Sequence, residues 1–411
     1  MPDYDLYVGI DWATEVHQVC GLDADGQNRQ EWAVPHSGAG LAELAAKLVA
    51  LVPDPARIAV AIETPRSAVV DTLLELGCHV FAVNPKQLDR FRDRHTVAGA
   101  KDDRRDAFVA ADALRTDRWA FRRLAREDPR LVQLREVSRL HEELGQERTR
   151  LTNRLREQLV RFYPQPLTLC PAADEAWLWT LLEQAPTPER GRRLAVGTLR
   201  AFLARHRIRR FTAEELHAVL QAPALRVAPG TAEAAAEHIG LLLPRVRLVD
   251  DQQKHCGRRL DTLLDALAGG DGEPEGRTEH RDVTILRSWP GLGRVAAATM
   301  LAEAPKPLAD RDYQMLRGQA GTAPVTRQSG KGRSVSMRHS CNPRLRRAVF
   351  YWARTAIRVD AHCRAQYKRL RQRHGYARAL RGVADRLLAV LIAMLRDGAL
   401  YDPTRRHAIA T

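Results

Sequence analysis

The spacing of apolar residues changes character several times along this chain. "DLYVGID" alternates apolar and polar positions and predicts a strand over Leu6–Asp11. After a short turn "VHQVCGLD" predicts a second strand, and "DADG" at Asp23–Gly26 a hairpin turn before a third, "QEWAVPH". The chain therefore opens as a three-strand antiparallel meander. "GLAELAAKLVALV" then carries helical spacing. Arg57–Glu63, "RIAVAIE", is a short continuous apolar run, as expected of a strand buried on both faces. "AVVDTLLELG" predicts a helix ending at Gly77, and "HVFAVNP" a fifth strand closed by Pro85.

From Asp128 to Phe162 the period lengthens to seven. Leu134, His141, Arg148, Leu155 and Phe162 form one series, and Val137, Leu144 and Leu151 another. That pattern predicts a long helix with a partial coiled-coil seam, open either to another subunit or to its own chain. "YPQP" at Tyr163–Pro166 ends it, and the positions from 165 to about 265 read as helical without recognisable chemistry. The Gly- and acid-rich stretch Leu267–His280 is a linker, and a second compact unit begins near Asp282. The expected division is an α/β domain over 1–125, a helical coiled-coil and linker region over 126–280, and a mainly α-helical domain over 281–411. Three strands followed by α-β-α-β-α is the order of the ribonuclease-H-like fold. Sugar-kinase and actin-like ATPases share it, but the second glycine-rich phosphate loop and adenosine pocket they need are not recognisable here.

Charge narrows the class. Lys and Arg exceed Asp and Glu by 15, and the pI is near 10. From Arg327 to Arg381 sixteen basic residues face one acid, Asp360, with Phe350, Tyr351, Trp352 and Tyr367 interleaved. A polyanionic partner, nucleic acid before membrane, fits that surplus. Six scattered cysteines without a C-x-x-C pair suit a reducing cytosol. No signal peptide is recognisable, and the longest apolar run, Leu387–Leu395, is far short of a bilayer span. A cytoplasmic protein is expected.

The acidic residues then acquire a pattern. Asp11 ends the first strand and Glu63 the fourth, which are neighbours in this fold. Asp103 and Asp106, three apart in "AKDDRRDAFVAADALRTD", share one face of a helix. If that helix crosses the strand ends, four carboxylates converge and require cations. Oxygen donors of this kind suit Mg2+, and two such ions assist phosphodiester chemistry. The blander account makes Asp102 and Asp103 helix-start acids answering the helix dipole. The coincidence with Asp11 and Glu63 favours the metal account. Asp102 is the least suited ligand, and Asp112 and Asp117 are read as solvent-facing.

Two features mark the C-terminal part. "LRSWPGLGRVAAATMLAE" predicts a helix, a P-G-L-G corner and a second helix. This helix-hairpin-helix-like element could offer the amides around Gly291 and Gly293 to a DNA phosphate, or could equally be an αα-turn in a core. Beyond it, Ser329 stands in a glycine-rich loop ringed by Arg327, Lys331 and Arg333, followed by Arg338 and by Arg344, Arg346 and Arg347. A serine in such a loop is ordinarily a turn residue. Here the cations could orient a phosphodiester, which makes Ser329 a candidate nucleophile, with Ser334, Ser336 and Ser340 close enough to compete.

Taken together, "YVGIDWA", "IETPR", "VNPKQLDRFRDR", "AKDDRRDA", "PGLG", "GTAPVTRQSGKGRSVSMRH" and "NPRLRRAVFYWA" resemble, in order and spacing, the IS-one-ten insertion-sequence transposases, or DEDD transposases. The resemblance implies an N-terminal domain similar to the RuvC-type resolvase and a C-terminal transposase domain. It implies metal-binding acids at Asp11, Glu63, Asp103 and Asp106, holding Mg2+ (two ions, Mn2+ as an alternative), and a catalytic serine at Ser329. It further implies a recombinase guided by a noncoding bridge RNA that pairs with target and donor DNA. Such a recombinase assembles as a tetramer and passes through a phosphoserine. One departure is Asp102, where a small Thr or Ser is expected. The competing expectations are a hydrolytic, structure-selective junction nuclease using activated water, and an inactive nucleic-acid-binding remnant.

Overall fold

The structure is a computed structural model that describes residues 4–27, 29–94, 102–268, 278–330 and 332–404. The chain divides into two compact units, Met1–Asp128 and Pro129–Thr411.

The first unit is built on a mixed six-stranded sheet. Its elements are β1 (Leu6–Asp11), β2 (Val16–Asp23), β3 (Gln30–Pro35), α1 (Gly38–Leu51), β4 (Ile58–Ile62), α2 (Ala68–Leu76), β5 (His79–Ala82), α3 (Pro85–Arg92), α4 (Asp103–Asp117) and β6 (Arg122–Arg123). The strand order is β3-β2-β1-β4-β5-β6. β1, β4 and β5 run parallel; the meander and β6 pair antiparallel. Every residue of β4 is buried, because α1 and α2 cover one face of the sheet and α4 the other. The meander, the parallel centre and the helices at Gly38, Ala68 and Asp103 thus follow the predicted order. The short sixth strand was not expected. The fifth strand stops at Ala82, and Pro85 starts α3 instead of closing the strand: Asn84 caps that helix, accepting the Lys86 N–H, with proline at the first helical position.

The second unit is helical apart from one hairpin. It comprises α5 (Pro129–Phe162), α6 (Ala176–Gln184), α7 (Pro188–Arg192), α8 (Val196–Arg205), α9 (Ala213–Gln221), α10 (Thr231–Ala268), α11 (Thr278–Ser288), α12 (Arg294–Glu303), α13 (Pro305–Ala309), α14 (Tyr313–Gln319), β7 (Val325–Ser329), β8 (Gly332–Ser336), α15 (Pro343–Val359), α16 (Ala361–Arg371) and α17 (Tyr376–Asp397). The seven-spaced seam of α5 is filled by α10 of the same chain. Leu144, Leu151, Leu155 and Phe162 share a core with Ile239, Leu242, Leu243, Val246 and Val249. A polar seam position meets a polar partner, Arg148 donating to the buried Asp250 at 2.8 Å. The alanine-rich α12 is buried from Ala296 to Glu303. Small side chains let it lie close to α5, where Ser138 and Thr299 hydroxyls meet at 3.0 Å and Arg135 donates to the Ala302 carbonyl at 3.0 Å.

Candidate functional site

Strand register brings the first two acids together. In the parallel β1–β4 pair Ile10 stands beside Ile62, and Asp11 and Glu63 are the next residue of each strand. Neighbouring strands lie about 4.8 Å apart, so the two carboxylates leave the same sheet edge side by side.

The direction of α4 decides where the other two acids lie. Ala107 sits directly over Gly9: a Cβ on Gly9 would come 1.9 Å from the Ala107 carbonyl oxygen and 2.5 Å from the Ala111 nitrogen. Further along the helix, Arg115 lies against Gly26 in the β2–β3 turn, and the Arg118 guanidinium stacks 4.9 Å over the Tyr4 ring. Both mark the start of β1, so α4 runs antiparallel to that strand. Four residues back from Ala107 is about 6 Å of helix. Two residues on from Gly9 is about 6.6 Å of strand, toward the same end. Asp103 therefore stands level with Asp11, at the sheet edge that Glu63 shares, and Asp106, one residue back from Ala107, lies about 1.5 Å beyond the level of Gly9 toward that edge.

Local chemistry sets the helix start. Asp102 is the N-cap of α4, its carboxylate accepting the Arg104 N–H at 3.2 Å, the role a Thr or Ser would play. Asp103 is thus the first helical residue and is exposed, whereas Asp106 is buried at 4 % exposure. Arg92 of α3 donates to Asp106 at 2.8 Å and also holds Asp89 at 3.0 Å. No pair of turn or helix signals in the sequence points to Arg92. A divalent ion reaching Asp106 has to compete with that guanidinium. Asp112 and Asp117 are half-buried rather than solvent-facing, held by Arg115 and Arg94.

Carboxylate oxygens are the donors a hard divalent cation takes. Among the described residues, no three of these acids have donor oxygens within 4.8 Å of one another; the group that meets that distance is Cys170, Asp174 and Glu175. Both Glu175 oxygens are already bonded, to Arg210 at 2.7 Å and to the Trp177 indole at 3.0 Å, so that group is a closed polar turn.

Behind Asp11 lies a histidine pair that sequence inspection missed. His17 is fully buried; its Nδ1 accepts the Ala13 N–H at 3.2 Å, so its Nε2 carries the proton and donates to His36 Nδ1 at 2.9 Å. Trp12 stacks on it. The pair thereby fixes the turn that follows Asp11. Burial, and then the neighbouring His36, lower the His17 pKa. As pH falls, the unfolded chain takes up this proton first. Stability from this group is therefore full above the unfolded value of about 6.5 and is lost as pH falls below it, toward the depressed folded value. His17→Asn keeps an acceptor for Ala13 without titrating. Urea midpoints at pH 7.5 and 5.5 are expected to fall more for wild type than for His17→Asn; parallel slopes would refute this.

The second unit carries the serine. Ser329 ends β7 in register with Gly332, at the tip of a two-stranded hairpin, with Gly330 in the left-handed region at φ 53°. The glycine-rich loop is thus the tip of a β-hairpin, whose strands are invisible to hydrophobic patterning because nearly all of the described hairpin is exposed. Strand alternation puts Arg327 on the same face as Ser329, and both are exposed. Ser334, Ser336 and Ser340 are exposed as well. Lys331 lies outside the described residues, and for Arg333 only its backbone pairing with Gln328 is described.

The other predicted contacts divide. Arg344 donates to Glu142 and Glu143 of α5 at 2.9 Å each, and Arg347 pairs with Glu142. Arg346 is half-buried. Gly291 takes φ 82° and packs on Thr355, Ala356 and Val359 of α15, the structural αα-corner, while Gly293 caps α12 in open space. Sequence reading also passed over Arg354 and Arg358, which share the exposed face of α15 with Tyr351 and have no ion-pair partner among the described residues.

Comparison with known proteins decides the family. A DEDD-type transposase model of the IS110 group matches residues 8–164, and the transposase IS116/IS110/IS902 family model matches residues 283–368. The candidate transposase of the IS117 mini-circle of Streptomyces coelicolor is 32 % identical, over 98 % of this chain and 97 % of that protein. The chain belongs to the IS110 family of transposases. A candidate transposase of Sinorhizobium fredii, y4uE, is 52 % identical over half of this chain and 58 % of its own length. The uncharacterized 43.6 kDa protein of insertion element IS110, from Streptomyces coelicolor, is 28 % identical over 97 % of this transposase. A DEDD transposase domain uses divalent metal, and a transposase acts on DNA. No described helix of this transposase is long and apolar enough to cross a membrane.

Proposed function

We propose that this transposase cuts and rejoins DNA through a phosphoserine formed at Ser329, assisted by Mg2+ held at Asp11, Glu63, Asp103 and Asp106. The Ser329 oxygen attacks phosphorus, the P–O bond to the deoxyribose breaks, and the leaving oxygen takes the proton that the serine gives up. The new phosphoester keeps the energy of the broken bond for rejoining. Arg327, on the face of Ser329, stabilises charge on the non-bridging oxygens. When bound, the metal supplies further charge stabilisation at the phosphate. Asp11 and Glu63 present oxygens from neighbouring strands, and Asp103 and Asp106 present theirs from the start of α4. A noncoding bridge RNA selects target and donor DNA, and the working assembly is a tetramer. The observation that carries the reading is an exposed serine beside an arginine at a hairpin tip, within a chain of this family.

The test is covalent trapping. Protein, Mg2+, the element's flanking RNA and end-labelled junction DNA are incubated and run on a denaturing gel. A labelled protein band that needs Ser329 and Asp103 supports the reading. Cleaved DNA with no adduct points to water as nucleophile and overturns it.

Nucleic-acid affinity gives a further expectation. Arg354→Gln with Arg358→Gln is expected to lower the slope of log K against log salt by about 1.8, at about 0.9 per duplex phosphate contact. Arg344→Gln with Arg347→Gln, which unpairs Glu142, is expected to lower the melting temperature more than the slope. Salt titrations and thermal melts of both double variants separate the two roles.

A further inference from the structure

We propose that the cavity at the foot of the β7–β8 hairpin is a subsite for one unstacked nucleotide of a single strand. Its phosphate would sit on Arg338 and Ser340, and its base edge on Gln314 and Gln319. This rests on the reading above only in taking the substrate to be nucleic acid. The cavity is an open cleft of about 580 Å3, between α14 and the segment that leads from β8 into α15. That lies within the range of about 300–1,000 Å3 usual for small-ligand sites.

Three observations point to this ligand. The first is an orphaned donor. Arg338 Nε is shielded from solvent and has no hydrogen-bond partner among the described residues. A buried donor without an acceptor is costly, so a site shaped this way is completed by an oxyanion. The second is charge. No carboxylate lines the cavity, and two that bond to its wall are engaged: Asp312 accepts the Met315 N–H at 2.9 Å, and Glu303 is held by Arg139 at 2.8 Å and by the Asn342 amide at 2.8 Å. The third is the opposite wall. Gln314 and Gln319 carry amides that both donate and accept, as a base edge requires, and Met315 supplies an apolar surface. Gln319 has no side-chain hydrogen bond among the described residues, while its backbone carbonyl accepts the Asn342 N–H at 2.8 Å and fixes the wall. A base that enters a concave site must leave its stack and its pairing, which costs a single strand less than a duplex.

The cavity carries its own reporter. Cys341 lines it and is half-exposed, and the other five cysteines are buried. Burial also pushes the Cys20 and Cys78 thiols up to about 11. Maleimide labelling of the native full-length chain, followed by intact mass, thus reads one site, and a misfolded variant reveals itself by labelling more. Labelling rates are compared with no ligand, with inorganic phosphate, with a single-stranded oligonucleotide, and with the same sequence as a blunt duplex.

The oligonucleotide is expected to slow Cys341 labelling several-fold, with phosphate and duplex doing much less. Arg338→Met should raise the half-protecting oligonucleotide concentration about tenfold or more, the worth of one charge-assisted hydrogen bond. Gln319→Glu should weaken protection by repelling the strand. Unchanged labelling with oligonucleotide, or equal protection in Arg338→Met, overturns the subsite. Protection by phosphate alone to the same degree overturns the nucleotide, and protection by duplex overturns the single strand. A Ser329 adduct without Cys341 protection removes the subsite and leaves the serine chemistry standing. Protection without an adduct does the reverse.

Discussion

Ser329→Ala is expected to abolish the covalent protein–DNA adduct and to lower strand cleavage by a factor on the order of 10^6, the scale of losing a serine nucleophile. The loss should be purely chemical. Ser329 is exposed at a hairpin tip and buries nothing, so its melting temperature should stay close to wild type, as exposed substitutions usually do. Ser334→Ala and Ser336→Ala serve as exposed neighbours outside the proposed subsite and should keep the adduct. Gel assays on all three variants, with melts alongside, make the comparison. Retained cleavage in Ser329→Ala would hand the nucleophile's role to water and leave the acids as the whole catalytic apparatus.

Gly9→Ala is expected to be the most damaging single-methyl change in the first unit. The added carbon meets backbone, the Ala107 oxygen at 1.9 Å, which no rotamer change relieves. Relief requires α4 to move off β1, at a cost of about 3 kcal/mol, the upper part of the usual overpacking range. The same movement carries Asp103 and Asp106 away from the edge that Asp11 and Glu63 share. Urea unfolding should show the loss of stability, and divalent-metal binding followed by calorimetry should weaken in the fraction that stays folded. Gly9→Ala with wild-type stability would mean that the helix does not rest on this strand.

What the residues disclose in advance follows from how each element is stabilised. β1, β4 and α2 bury periodic apolar positions, so their spacing is legible, and register then puts Asp11 beside Glu63. The β7–β8 hairpin hides because "VTRQS" and "GRSVS" have no buried face to pattern. β6 is two residues long and exists only because β5 offers it an edge. Arg92 and His17 act on the acidic end through contacts between α3 and α4 and across the β1–β2 turn, which no local spacing encodes. The seam of α5 was legible as a seam. Its partner was not, since leucines at every seventh position suit α10 as well as a second subunit.

The place of α5 bears on how relatives of this kind can be recombined in the laboratory. Family resemblance for the N-terminal region runs to residue 164, yet the helix from Pro129 onward is a wall of the helical core. A chimera joined at 164 would splice a foreign Leu144–Phe162 face onto the native α10, and the graft would have to match it residue by residue. Joined before Pro129, the donor sheet arrives with its own acids, and the recipient keeps its core intact.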